Sequence, residues 1–329
     1  MVRLTTRPGS RLASSLDGVL VIDKPRGPTS HDVIGRLRRT LGVRAIGHAG
    51  TLDPMATGVL VAALGQATKL VPWLTAHDKS YEATIALGVD TDTLDAEGVE
   101  VGRAAPSEEL CEALGWPIGT ELPPILRAAF DAERARKLQS PPAYSAIRAA
   151  GERAFARARR GEHVELEPRP VVVHRLDLLG SSPRPPALTV AIDVGKGYYV
   201  RALARDLSRA LGCAGHLGEL RRTRSGCFVA QEAHPLDASA EVLRAAVEPL
   251  AQAAARALPV ARLSEAGARD ARHGRVVQTA DIEGALGLQT PCAWLDAAGA
   301  LVAVGQVEEA GHGRVLRGFG RTPEGSGRH

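Results

Sequence analysis

Apolar residues along the chain recur at two spacings, and the places where the spacing changes mark its elements. Val19 to Ile22 is a short apolar run suited to a buried strand. After a proline-rich turn, Val33, Ile34, Leu37 and Leu41 recur at helical spacing, which predicts a helix from near Ser30 to Gly42 with Arg36, Arg38 and Arg39 on its other face. Val59 to Leu64 is a second strand candidate, and Tyr81, Ala83, Ile85 and Leu87 alternate with polar residues, the pattern of a strand with one buried side. Helices are expected over Ser107 to Leu114, Ile125 to Leu138 and Arg148 to Arg160, the last stopped by Gly161. Val171 to Leu179 and Leu188 to Val194 read as paired strands joined by the Ser-Pro-rich link Ser181 to Pro186. Val200, Leu203, Leu207 and Leu211 line one side of a helix closed by Gly212. An Ala-rich helix ends near Leu258, and the following CAWLDAAGALVAVGQV is strand-like. The mixture of periods predicts an α+β fold.

Composition permits several classes of function and removes a few. A length of 329 residues allows two domains, and 44% hydrophobic residues supplies an ordinary core. The 41 basic against 37 acidic residues leave a net charge of +4, so polyanion binding would have to come from a localised patch. No apolar run has the length of a signal-peptide core or a membrane span, so a cytoplasmic location is expected. Cys111, Cys213, Cys227 and Cys292 are scattered without CxxC or HExxH spacing, which favours reduced thiols over a metal site or disulfides. No cofactor is implied. Residues 1–16 and 321–329 read as disordered.

The candidate chemistry centres on GHAGTLDPMATG, Gly47 to Gly58, which isolates one acid, Asp53, in a turn of glycines, threonines and a proline. Two readings are open: a presented reactive carboxylate, or an Asp-Pro turn whose carboxylate only accepts local N–H bonds. Gly195-Lys196-Gly197 forms a second turn, without the phosphate-loop pattern, and places Tyr198, Tyr199 and Arg201 at a helix start. Thr91 to Asp95 with Gly98 is an acidic turn lacking calcium-loop spacing, and it reads as a loop. Five of the 41 basic residues are lysines, a scarcity that marks sites resisting exchange for arginine. Lys24, Lys79 and Lys196 are therefore candidates for phosphate or structural contacts near the site, against the alternative that they cap carbonyls or lie solvated.

With its flanks, the Asp53 turn resembles the catalytic signature of the TruB family, the bacterial tRNA pseudouridine-55 synthases. The resemblance extends in order through GVLVIDKPRGPTSHDV, ATKLVPWLTAHDKSYEATIALGVDTDTLDAEG, QSPPAYSAI, GKGYYVRALARDL and LRRTRSGCF, covering most of Asp17 to Phe228. It implies a pseudouridine synthase-like mixed β-sheet catalytic domain over 17–250 and a small β-rich, PUA-like RNA-binding domain over 258–320. It also implies Asp53 as the nucleophile, Arg201 as its partner, Tyr199 in the active site and Tyr81 as the residue stacking on a flipped base. His48 would enter the RNA loop. Tyr198 stands where a small residue is usual, which leaves open which tyrosine does the family's work. The implied partner is the T arm of tRNA, with no obligatory protein partner and a monomeric state. The alternatives are a guide-RNA-dependent synthase of the Cbf5/dyskerin type and a tRNA-binding folding helper. The charged stretch Phe130 to Leu138, and Arg148 where lysine is usual, depart from the family pattern.

Overall fold

The computed structural model describes residues 16–145, 147–149, 152–162, 164–284 and 287–320, so the lead and tail expected to be disordered lie outside the described residues, Leu16 excepted. A ten-stranded mixed sheet forms the frame. Its main path runs Val173–Pro183, Pro186–Val194, Lys79–Leu87, Gly215–Ser225, Thr57–Leu64, Gly18–Lys24, His234–Pro235. Neighbours on this path are antiparallel except at Gly215–Ser225 beside Thr57–Leu64 and at Gly18–Lys24 beside His234–Pro235. Alternation assigns the two faces. Leu20, Ile22, Leu60, Ala83 and Ile85 pack beneath the helices Ser30–Leu41 and Val200–Ala210, while Val19, Val21, Val59 and Val61 face the other way.

The Ser30–Leu41 helix shows how local chemistry sets these elements. Thr29, one residue before the expected start, is the N-cap and forms a capping box with Asp32, and Gly42 closes the helix in the left-handed region at φ 65°. Such a cap contributes about 1 kcal/mol. Cys213 and Cys292 are buried free thiols, and burial pushes Cys213 up to about 11, well away from thiolate chemistry.

Four expectations need correction. The helix expected over Arg148 to Arg160 is confined to Ala154–Arg159, after a two-stranded ladder of Arg148–Ala149 with Glu152–Arg153. The sequence there carries Gly151 and has Phe155 as its one large apolar residue, too little to bury a helical face. The helix expected over Ile125 to Leu138 spans Pro124–Arg134, because Leu138–Gln139 pairs with Arg169–Pro170 instead. The link Ser181 to Pro186 is largely strand, the two partners extending to Pro183 opposite Pro186. In the acidic turn, Val89–Thr91 pairs with Glu100–Arg103, a short ladder that the turn composition hid.

The C-terminal region forms a second, six-stranded sheet in the order Val277–Gln278, His312–Gly318, Leu301–Val307, Cys292–Leu295, Val260–Leu263, Ile282–Glu283, with the helix Glu265–Arg272 against it. This is the small β-rich unit expected after Leu258. It shares a core with the main sheet: Leu295, Leu301, Val304 and Phe319 join Val19, Val21, Val59 and Val61 in one buried cluster. At the same seam Gln66 and Lys69 donate to the Gly320 and Gly318 carbonyls at 2.6 and 3.1 Å.

Candidate active site

The Thr57–Leu64 strand meets two different partners along one edge. Its C-terminal half pairs with Ile46–Ala49, ending at Ala49 opposite Val61, whereas Thr57 and Gly58 pair with Arg221 and Arg222. The segment 50–56, with Asp53 in it, leaves the sheet at this split. Gly58 has φ 97°, and a Cβ there would lie 2.2 Å from the Arg222 carbonyl oxygen, so the approach of the two strands requires glycine.

The turn is braced by groups other than the Asp53 carboxylate. Ser30 Oγ donates to the Leu52 carbonyl at 3.0 Å, and the Leu52 N–H donates back to it at 2.9 Å. Lys24, fully buried, donates from Nζ to the carbonyls of Pro25, Pro54 and Ala56 at 2.9, 3.1 and 2.7 Å. Burial pushes its ammonium below the ordinary lysine value and Arg222 adds to this, while Glu97 and Asp53 pull it back up.

The Asp53 carboxylate meets Arg201, which lies in the first turn of the Val200–Ala210 helix. Arg201 Nε is 2.8 Å from Oδ2 and Nη2 donates to Oδ1 at 3.3 Å, a two-point contact across the sheet rather than a local turn bond. The other guanidinium donors reach the Thr93 carbonyl from Nη1 at 3.1 Å and the Tyr144 carbonyl from Nη2 at 3.0 Å. Asp95 Oδ2 stands 3.7 Å from Nε. Asp53 is 35% exposed, whereas Arg201 and Asp95 are 9% and 8% exposed, so a buried cation orients an accessible carboxylate. Asp95 was hidden in a turn read only as a loop. Its carboxylate accepts from Thr93 Oγ1 at 2.6 Å and from the Glu97 N–H at 3.1 Å, which fixes it behind Arg201.

The two adjacent tyrosines point to different surroundings. Tyr198 is buried and its hydroxyl donates to Glu133 Oε1 at 2.7 Å; burial and that carboxylate push its phenol well above the ordinary value. Tyr199 is half-buried, and burial raises its phenol too, with Arg169 and Arg201 opposing the rise and Asp53 adding to it. Tyr199 is thus the one within electrostatic reach of the Asp53 and Arg201 pair. Its main chain is clamped by the buried Gln139, which accepts from the Tyr199 N–H at 2.9 Å and donates to its carbonyl at 3.2 Å. We expect Tyr198→Phe to lower the melting temperature, because Glu133 loses a buried donor, at an almost unchanged single-turnover rate. Tyr199→Phe should do the reverse. Melting curves and single-turnover kinetics on both variants check this, and a rate loss confined to Tyr198→Phe would reverse the assignment.

For two of the three lysines the structure shows the carbonyl-capping alternative. Lys24 is saturated by carbonyls, and Lys79, pushed down to about 8 by burial and by Arg222, donates to the carbonyls of Thr75 and His77 at 2.9 and 2.5 Å. With their ammonium donors committed to main chain and their side chains buried, neither is placed to take a phosphate; they are structural contacts beneath the site. Lys196 is exposed on its turn. Tyr81 is 8% exposed and packs in the main core on the buried side of its strand, with Arg222 as its cross-strand neighbour. His48 sits on the strand leading into the turn, edge-on to His31 at 5.4 Å between ring centroids. Burial, His31 and Arg222 lower its imidazole below the ordinary value, which favours its neutral form.

Comparison with known proteins identifies the family. The family model described as "TruB family pseudouridylate synthase (N terminal domain)" matches residues 38–200, and "tRNA pseudouridylate synthase B C-terminal domain" matches 201–255. A relative from Mycobacterium sp. (strain KMS) named tRNA pseudouridine synthase B is 45% identical over 83% of this chain and 89% of its own. One of the same name from Thermobifida fusca (strain YX) is 44% identical over 84% and 91%. Among solved structures, one described as "Crystal Structure of a Cbf5-Nop10-Gar1 Complex" superposes with a TM-score of 0.68 at 25% identity, covering 93% of this chain and 84% of that one.

Proposed function

The chain belongs to the TruB family of pseudouridylate synthases, and from that premise we propose that Asp53 is the nucleophile with which it converts the T-loop uridine of tRNA to pseudouridine. The chain is an enzyme that isomerises uridine in tRNA. The observation that carries the assignment of the site is the two-point grip of buried Arg201 on the accessible Asp53 carboxylate. Isomerisation breaks the C1′–N1 bond, turns the base and joins C5 to C1′; the C5 proton leaves and N1 ends protonated. A carboxylate aimed at the nucleotide can bond covalently to base or sugar and keep the fragments together while the base turns. Arg201 sets the orientation of that carboxylate through its two-point contact.

The target base lies inside a folded RNA loop, so it has to be flipped out to reach the turn. In this reading Tyr199 lines the pocket beside the acid, Tyr81 supports the base from the core side, and His48 and the exposed Lys196 face the RNA. The C-terminal β-rich unit, 258–320, contributes further RNA contacts, and the protein works as a monomer in the cytoplasm, where its substrate is. The guide-RNA-dependent alternative is not favoured, because relatives named for tRNA stand at 44–45% identity and the Cbf5-containing neighbour at 25%.

The test is incubation of the purified chain alone with an unmodified tRNA transcript in excess chelator, followed by mapping of pseudouridine. One modified position in the T loop is the expected result. Dependence on an added protein, a guide RNA or a divalent ion, with tRNA folding verified separately, would overturn the reading.

A further inference from the structure

The catalytic turn leaves main-chain carbonyls without sheet partners, because the strand before it stops pairing at Ala49 and the strand after it changes neighbours at Gly58. Buried carbonyls need donors. Arg222, wholly buried on the Gly215–Ser225 strand, supplies them: Nη2 donates to Gly50 O at 3.0 Å, Nη1 to Thr51 O at 3.3 Å and Nε to Val59 O at 2.7 Å. One planar fork thus ties the two ends of the turn, and Lys24 ties its middle at Pro54 and Ala56.

We propose that Arg222 is a positioning residue for the reaction, fixing the turn so that the Asp53 carboxylate stays in register with Arg201. Three features distinguish this from ordinary core packing. Arg222 forms no ion pair among the described residues, and a buried guanidinium without a carboxylate is costly, so packing alone would be better served by an apolar side chain. The three acceptors lie on both sides of the turn, a span that a fork can bridge and an ammonium cannot. Finally, the Gly215–Ser225 strand that carries Arg222 packs against the helix that carries Arg201, so both arginines belong to one frame.

This inference rests on Asp53 being the reacting carboxylate. Its test compares Arg222→Lys and Arg222→Ala with the parent chain in three measurements: thermal melting, tRNA affinity, and single-turnover rate at saturating tRNA. Arg222→Lys should fold and bind tRNA within a few-fold, yet lose roughly ten- to a hundredfold in rate, the equivalent of one or two misplaced hydrogen bonds at the site. Arg222→Ala should lose more, and ethylguanidinium, which can occupy the vacated space and reproduce the fork, should restore its rate at least about tenfold where ethylammonium does not. A folded Arg222→Lys protein with the parent rate overturns the proposal, as does equal rescue by the two cations. If Arg222→Ala does not fold, the lysine variant still decides. The outcome is separable from the assignment of Asp53: a fully active Arg222→Lys beside an inert Asp53→Asn removes only the role of Arg222, whereas an active Asp53→Asn removes both.

Discussion

Asp53→Asn is expected to reduce isomerisation to background while tRNA affinity stays within a few-fold and the fold is kept. The amide has the shape of the carboxylate but neither its charge nor its nucleophilicity, so the covalent step loses its reagent. The fold should survive because the bracing of the turn does not pass through this side chain. Ser30 holds Leu52, and Lys24 holds Pro54 and Ala56, through main-chain atoms that the substitution leaves untouched. Asp53 is also partly open to solvent, so breaking its pair with Arg201 takes little from stability. The check is a single-turnover assay beside a binding titration. Turnover clearly above background would end the assignment of Asp53, and a collapse of affinity together with rate would mean that the residue holds RNA instead of attacking it.

Much of the frame was legible because it follows from spacing. The Val19 to Ile22 run is apolar at every position since its strand is covered on both faces, by the Ser30–Leu41 helix on one side and by the C-terminal unit on the other. The second half of that statement could not be read from sequence. Val19 and Phe319 lie at opposite ends of the chain, and no local pattern says that they share a core. The same limit applies to the site. The Asp53 turn and the Tyr199 and Arg201 helix start each have a local signature, but only folding brings them together across the sheet.

What local pattern misjudged was polar and specific. Lys24 and Lys79 stand out by composition, yet their donors go to the carbonyls that an interrupted sheet leaves unpaired, a consequence of register. Asp95 was masked by its acidic, loop-like neighbours, although a carboxylate 8% exposed beside a buried arginine is a strong sign of placement. Arg222 is one of three arginines among residues 221 to 224, with Thr223 between them, a stretch in which sequence cannot single out the one that turns inward. Tyr198 and Tyr199 were ambiguous for the same reason, since adjacent residues at a helix start diverge in direction and only the position of Glu133 shows which one is taken by the core.

Arg201→Lys separates the charge of the partner from its geometry. The ammonium has three donors, and the acceptors around the site include Asp53, the Thr93 carbonyl, the Tyr144 carbonyl and, slightly farther off, Asp95. A lysine can therefore be satisfied there and the protein should fold. It cannot make the two-point contact with Asp53, because a point charge on a flexible stem does not fix the plane of a carboxylate. Charge-assisted hydrogen bonds contribute about 1.5–3 kcal/mol each, and with Asp53 partly solvated we take the lost orientation as about 3 kcal/mol, which is at least roughly a hundredfold in single-turnover rate. Affinity for tRNA should change little, since Arg201 is buried behind Asp53 and faces the acid rather than the solvent. Arg201→Met, which removes the charge as well, should be slower still. If lysine supports the parent rate, the guanidinium geometry is irrelevant and Arg201 serves only as a counter-charge; if Arg201→Met does as well, the pair plays no part in the chemistry.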